Sequence, residues 1–506
     1  MGSSMLKPER VVSRDDGWAT LSAFVSHPDQ RLQIGVVSGR RRVGKSYLLR
    51  ALAEVSGGLY ITAVAEEGAH AARQRFAADI ARYAGIRPEL IGSNASWEAL
   101  LTSAIDVVIQ RKGPGGLLVI DELPYWLSHS PEIPGLLQLS YDRSQSDVGH
   151  RGGRVILCGS AMSVMTTLLS GTKALRGRAT VDLRMAPFDL PTTARLWGVA
   201  DRPTALRLHA ALGGSPGYRA LSLRAAPQSI AEFNEWVPDS LLNPGQALFS
   251  RSEAEYLLRE DPNFSGSTLH YGIINAVARG ASSPAKIGGL LERDRTTLAR
   301  PIQALIDAGY LRHDDDPLTT RRPVITIADP IIRFHNVITV VQTDLVEAGR
   351  SADAWQQGQS TFAAQILGPH FEACARNWLR GNAPDDIRAG SSTIAAAVVN
   401  DRSGQAKHEI DVLGLDRTSN RVSIALVGEA KATLALRTVA DLDRLDRVRT
   451  LLTEQGHDTS GARIALFATE GFHQDVIDTA TQRGDVLLAD LNTIFGDDPV
   501  VRPRAS

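Results

Sequence analysis

The sequence predicts an α/β fold in several domains: a parallel sheet with a helical lid, then a three-helix unit closed by a β-hairpin, then a second α/β domain. Three observations predict it. Through the first 245 residues, short apolar runs alternate with amphipathic helical stretches, the pattern of a parallel sheet covered on both faces. A mainly helical segment with one pair of extended runs follows, and strand–helix alternation returns over the last 150 residues. A chain of 506 residues is too long for one hydrophobic core.

Strands are expected at 33–38, 59–64, 116–121, 154–159 and 180–185, with helices at 47–55, 71–83 and 97–110 between them. Residues 192–226 mix polar and apolar positions at helical spacing without a strand, which suits a lid. Helices are then expected at 268–278, 284–291 and 296–308. Extended runs at 310–312 and 324–327 follow, parted by polar turn residues at 314–317. Three helices and a hairpin outline a winged helix. The last part reads as a helix at 361–379, strands at 393–399, 409–415 and 422–429, a helix at 439–452, a strand at 462–468, a helix at 474–483 and a strand at 486–488. The expected domains are 1–190, 191–245, 246–345 and 346–506.

Composition bounds the function classes. With 43% apolar and 22% charged residues and a net charge of -1, the chain is no basic nucleic-acid coat, although one basic groove remains compatible. Cys158 and Cys374 are the two cysteines. They form no disulfide framework and no paired-cysteine zinc pattern, so a reducing cytoplasm is expected. No apolar run reaches the roughly 18 residues that a membrane helix needs. Basic residues are 48 Arg against 7 Lys, so each lysine position draws notice as a compact point charge.

The octapeptide Gly39-Arg40-Arg41-Arg42-Val43-Gly44-Lys45-Ser46 fits G-x-x-x-x-G-K-[ST] between an apolar strand and a helix, the context this P-loop motif requires. The glycines let backbone N–H groups wrap phosphates at a helix N-terminus. Lys45 supplies charge to the β/γ oxygens, and Ser46 supplies a hydroxyl to Mg²⁺. The expected nucleotide-binding set is Gly39, Arg40, Arg41, Arg42, Val43, Gly44, Lys45, Ser46 and Tyr47, with ATP and Mg²⁺ as cofactors. Leu117–Asp121 is a buried-strand run ending in Asp121-Glu122. There Asp121 would share the Mg²⁺ with Ser46, and Glu122 would orient or deprotonate water. Ser160, at the end of another apolar strand, is either a sensor of the γ-phosphate or a plain strand-end serine. Arg176 and Arg178 follow as loop residues, each an arginine-finger candidate or simply solvated.

These motifs, with Leu157-Cys158-Gly159-Ser160, Gly213-Gly214-Ser215-Pro216, Asp329-Pro330 and Phe371-Glu372 with Cys374 and Trp378, resemble the archaeal-type AAA+ ATPases. Those are prokaryotic proteins with an ATPase module, a winged helix and a nuclease-related C-terminal domain. The likeness covers nearly the whole chain. It departs near the N-terminus, where the family's Gly-Arg-Glu signature reads Ser13-Arg14-Asp15-Asp16.

His408-Glu409-Ile410-Asp411-Val412 and Gly428-Glu429-Ala430-Lys431 resemble the core of PD-(D/E)XK nucleases. Residues two apart on a strand share a face, so Glu429 and Lys431 project together, with Asp411 on the preceding strand beside them. Asp411 and Glu429 would hold Mg²⁺ while Lys431 positions water and neutralises charge; Glu372 matches the extra acid of many such nucleases. An intact nuclease, a degenerate binding fold and a solvated surface pair all remain open. In the winged helix, Arg293, Arg295 and Arg300 would meet DNA, with Thr296 and Thr297 adding phosphate hydrogen bonds, or the module would serve an interdomain role. Asp294 is expected as that helix's cap, and Trp355, Phe371 and Trp378 as core. Two functions follow. One is an ATP-hydrolysing, DNA-associated enzyme with a C-terminal nuclease, able to self-associate. The other is a nucleotide-dependent switch or scaffold without cleavage.

Overall fold

A computed structural model describes residues 5–92, 95–146, 152–171, 173–259, 261, 264, 266–318, 324–388, 390–401, 406–417 and 422–504. The first sheet contains β1 (Gln33–Ser38), β2 (Leu59–Thr62), β3 (Leu117–Asp121), β4 (Arg154–Gly159) and β5 (Ala179–Arg184), all parallel, in the order β2-β3-β4-β1-β5. Every residue of β1, β3 and β4 is buried. That is why their sequences are continuous apolar runs rather than alternating ones. Helices Asp15–Val25 and Lys45–Ser56 cover one face, with Trp18, Leu21, Leu49 and Leu52 against Val37, Val119 and Ile156. Helices Ala69–Ala84 and Trp97–Lys112 cover the other, with Phe76, Ile80 and Trp97 against Val36, Leu118 and Leu157.

Helices Leu190–Trp197, Arg202–Leu212 and Ile230–Ser240 follow the sheet, then helices Thr268–Ala278, Pro284–Leu291 and Arg295–Asp307. An antiparallel pair, β6 (Leu311–Asp314) and β7 (Val324–Ile327), closes this part. Asp314, expected in the turn, belongs instead to β6: it pairs with Val324, and its carboxylate accepts from the Arg312 guanidinium at 2.8 and 2.7 Å.

The helix expected at 361–379 is longer and interrupted. It runs through Ser351–Phe362, a π-helical turn Ala363–Leu367, and Gly368–Gly381. Pro369 has no N–H to donate to the preceding turn, and a π-bulge just ahead of it absorbs that mismatch. The polar composition of Ser351–Phe362 hid its helical period, yet Ala354 and Trp355 turn inward. Beyond lie β8 (Thr393–Asp401), β9 (Ala406–Asp416), β10 (Ser423–Lys431), β11 (Arg463–Ala468) and β12 (Val486–Asp490), in the order β12-β11-β10-β9-β8. β8, β9 and β10 are antiparallel neighbours, whereas β10, β11 and β12 are parallel.

One apolar core runs from Trp197 and Phe233 through Ile273 and Leu305 to Trp355, Phe371, Trp378 and Phe467. Helices Leu190–Trp197, Arg202–Leu212 and Ile230–Ser240, the three-helix unit and one face of the second sheet therefore pack as a continuous body. Trp355, Phe371 and Trp378 are buried in it, as expected. The other sheet face is covered by helices Val439–Glu454 and Gln474–Arg483. Both cysteines are buried and free. Among the described residues, no helix is long and apolar enough to cross a membrane.

Candidate nucleotide site and acid–lysine cleft

The phosphate loop spans residues 39–44, between β1 and helix Lys45–Ser56. Arg42 and Gly44 have φ of 66° and 93°, the left-handed turn that brings the helix head round. A Cβ on Gly39 would come 2.7 Å from the Met185 carbonyl oxygen, so only glycine lets the chain just after β5 approach so closely. Lys45 is 4% exposed. Its ammonium folds back over the loop, donating to the carbonyls of Gly39 at 2.7 Å and Arg40 at 3.1 Å. Ser46 sits in the first helical turn, half-buried. Tyr47 turns away: it is 53% exposed, and its hydroxyl donates to the Arg10 carbonyl at 3.2 Å.

The three loop arginines also point away from the loop interior, toward later parts of the chain. The Arg40 guanidinium pairs with Asp329 and lies 5.1 Å from the Tyr310 ring centre. Arg41 lies 4.4 Å from the centre of the Tyr256 ring. Arg42 grips both oxygens of Glu253, at 2.7 and 2.6 Å. The Gly213-Gly214-Ser215-Pro216 stretch closes over the same loop. Gly217 donates its N–H to the Arg42 carbonyl at 3.0 Å, and Pro216 lies against Gly44. Arg14, from the segment that departs from the family signature, donates to the carbonyls of Val43 and Ala186 at 2.9 and 2.7 Å and lies over the Phe188 ring. The sequence marked Arg40, Arg41 and Arg42 as motif positions; their partners are hundreds of residues away, where no local signal reaches.

Asp121 ends β3 and is 1% exposed. Its carboxylate accepts from the Tyr60 hydroxyl and from the Glu122 N–H at 3.0 Å. Burial and the Asp121 charge push the Tyr60 phenol up. Glu122 takes a left-handed conformation, φ 53°. Its carboxylate accepts the Ser160 hydroxyl at 2.8 Å and the Ser160 N–H at 3.3 Å. The two acids thus diverge: Asp121 stays in the strand plane, and Glu122 swings across to β4. The Cys158 thiol on β4 senses both Asp121 and Lys45; burial and then Asp121 push it well up, with Lys45 opposing. Of the two finger candidates, Arg178 is tied to Asp142 at 2.8 and 3.0 Å, and Arg176 is exposed with one hydrogen bond to the Gly171 carbonyl.

In the second sheet, Glu429 and Lys431 meet Asp411. The Asp411 carboxylate accepts the Ala430 N–H at 2.9 Å. The Lys431 ammonium lies 2.7 Å from Glu429 and 3.7 Å from Asp411. Glu372 faces them from helix Gly368–Gly381. Burial first, then the Asp411 charge, push its carboxyl up to about 7, against Arg376 and Lys431. Two arginines that sequence reasoning did not single out complete the group. Arg444 pairs with Glu429, and Arg376 donates to the Asp411 carbonyl at 2.6 Å. Oxygen donors in a field of negative charge suit a hard cation such as Mg²⁺, and the lysine ammonium already lies against both carboxylates.

A cleft of about 2200 Å³ joins these parts: Arg40, Lys286 and Arg295 line it along with Asp411, Glu429 and Lys431. Arg293, Arg295 and Arg300 are exposed. Asp294 caps helix Arg295–Asp307 by accepting the Thr296 N–H at 2.7 Å. The Thr296 and Thr297 hydroxyls, expected to face phosphate, donate instead to Asp294 at 2.6 and 2.7 Å.

The all-parallel sheet, its strand order and the loop at the head of helix Lys45–Ser56 fit one architecture. The first sheet is of the P-loop NTPase type. No family model matches the chain, and no curated protein matches it. Among solved structures, a Walker-type ATPase of Pyrococcus abyssi is 17% identical over 66% of this chain and 98% of its own, with a TM-score of 0.46. The ORC2 protein of Aeropyrum pernix, in ADPNP–ADP complexes, is 14% identical over 70% and 96%, with a TM-score of 0.45. The ORC1 protein of the same organism, in complex with DNA, is 12% identical over 70% and 95%, with a TM-score of 0.33.

Proposed function

We propose that this chain is an ATP-hydrolysing, DNA-associated protein whose C-terminal domain is a metal-dependent nuclease. In this reading residues 1–190 are the ATPase core, 191–245 its lid, 246–345 a winged helix and 346–506 the nuclease-like domain. The observation that carries it is the Lys45 ammonium, buried and folded across a glycine-bounded loop at a helix head, where the oxygens of a triphosphate would replace the two carbonyls as its acceptors. Ser46 and Asp121 supply oxygen donors for Mg²⁺, which when bound would neutralise charge on the phosphates. Glu122, held by Ser160, would take a proton from the attacking water. Arg176, exposed, is the better finger candidate and would act on a neighbouring copy in a self-associated form.

Asp411 and Glu429 are the corresponding oxygen donors of the second site, with Lys431 placed to orient water and stabilise charge on a scissile phosphate. Arg40 supports a link between the two sites, since it belongs to the phosphate loop and also lines the cleft that holds the acids. Lys286, Arg295 and the exposed arginines beside it offer phosphate contacts for DNA. One feature favours the switch reading, without cleavage: Glu429 is engaged by both Lys431 and Arg444.

A cleavage assay on single- and double-stranded DNA and RNA, with Mg²⁺ or Mn²⁺ and with or without ATP, separates the two. Asp411→Ala is expected to abolish cleavage and to leave ATP turnover intact. Lys45→Ala is expected to weaken ATP binding by about 10- to 150-fold, the loss of one or two charge-assisted hydrogen bonds. Cleavage absent from the parent, or equal in parent and Asp411→Ala, overturns the nuclease assignment; unchanged ATP affinity in Lys45→Ala overturns the ATP site.

A further inference from the structure

Helix Arg202–Leu212 and helix Gly368–Gly381 meet beside the cleft, and three side chains with metal-binding atoms converge there. His370 and Cys374 lie four residues apart on one helix, hence on one face a turn apart. His209 comes from the other helix. One ligand atom from each of the three lies within 4.8 Å of the others, and Cys374 is buried. Among the described residues no other three His, Cys, Asp or Glu side chains gather so closely. The acids of the second sheet, the obvious metal candidates from sequence, do not.

The details favour a ligand set over a chance pair of rings. His209 Nδ1 is 2.8 Å from His370 Nε2, a hydrogen bond between the two rings that an ion seated between them would replace. The other ring nitrogen of His209 lies 3.2 Å from the Phe188 carbonyl oxygen. An N–H donated there is the outer contact that metal-bound histidines commonly make. It leaves Nδ1 an acceptor, which takes the His370 N–H here and would turn to an ion once His370 carries its proton on the other ring nitrogen. Two imidazoles and a thiolate select zinc over the hard cations that carboxylates prefer. His209, His370 and Cys374 all line the cleft, which gives an ion its entry path and leaves a fourth coordination position for water.

We propose that His209, His370 and Cys374 form a zinc site that clamps the lid to the C-terminal domain. The ligands come from segments more than 150 residues apart in sequence, so one ion ties the two helices together. This is independent of the nuclease reading, because it uses none of the acids.

The test uses the full chain carrying Asp411→Ala, to remove any contribution from the acid site. The protein is stripped with a chelator and reloaded with Zn²⁺ or Co²⁺. One zinc per chain is expected, and the cobalt form should show a thiolate-to-cobalt charge-transfer band with the strong visible absorption of tetrahedral cobalt. Cys374→Ser should lose that band and weaken zinc binding by at least ~100-fold, the upper end of what a supporting contact alone contributes. Less than half an equivalent of zinc, or a cobalt spectrum without sulfur charge transfer, overturns the proposal. The cobalt spectrum of the Cys374-bearing chain decides the matter even if Cys374→Ser folds poorly.

Discussion

Replacing Glu253 by Gln tests how the phosphate loop is held. Arg42 and Glu253 retain only 18% and 6% of their side-chain exposure, and the contact is a two-pronged one at 2.7 and 2.6 Å. Exposed pairs of this kind are worth about 0–1 kcal/mol. Removing one partner of a buried pair costs about 3–5 kcal/mol, because the remaining charge is left in a poorly solvated place. Gln keeps the shape and one donor–acceptor contact, so about 3 kcal/mol is expected for Glu253→Gln. Arg42→Met should cost a similar amount, and the double variant less than the sum, with a coupling of about 2–3 kcal/mol. Arg42 also accepts the Gly217 N–H through its carbonyl, so release of its side chain should loosen the lid over the loop. The assay is urea unfolding followed by the fluorescence of the lid tryptophans, Trp197 and Trp236, which pack edge to face at 6.1 Å. A cost below about 1 kcal/mol for Glu253→Gln, with no coupling, would show that the pair behaves as a surface contact and would refute the reasoning.

Two further outcomes follow from the packing and from burial. A Cβ on Gly214 would lie 1.8 Å from the Phe188 carbonyl oxygen, whereas one on Gly289 would meet nothing within 4 Å. Gly214→Ala should therefore destabilise the lid by at least ~3 kcal/mol, and Gly289→Ala, inside helix Pro284–Leu291, should stabilise by up to ~1 kcal/mol; equal unfolding midpoints for the two would contradict this. Burial, then the Arg251 charge, push the His335 imidazole down to about 4. The folded chain keeps His335 neutral while the unfolded chain protonates it near its ordinary value of about 6.5. Its contribution is complete above that value and is lost as pH falls toward 4, with a slope of up to about 1.4 kcal/mol per pH unit. His335→Gln should flatten the fall in urea midpoint between pH 6.5 and 4, and an unchanged slope would exclude His335 as its source.

Much of this architecture was legible in the sequence because its signals are local. Unbroken apolar runs such as Leu117–Asp121 and Arg154–Gly159 marked strands buried on both faces. The octapeptide at 39–46 carried its own turn chemistry, and Glu429 and Lys431 shared a face by the two-residue period alone. Interruption at Pro369 and the polar stretch Ser351–Phe362 were misread for the same local reason: the apolar stripe there is too narrow to stand out.

Tertiary structure alone decided the partners. It sent Arg40 to Asp329 and Arg42 to Glu253, set Ser160 on Glu122, placed Arg444 against Glu429, and brought His209, His370 and Cys374 together where no paired-cysteine spacing existed. Backbone periodicity is set by neighbours within a turn or two. A buried charge or a ligand atom is satisfied by whatever folding brings to it, from any distance along the chain.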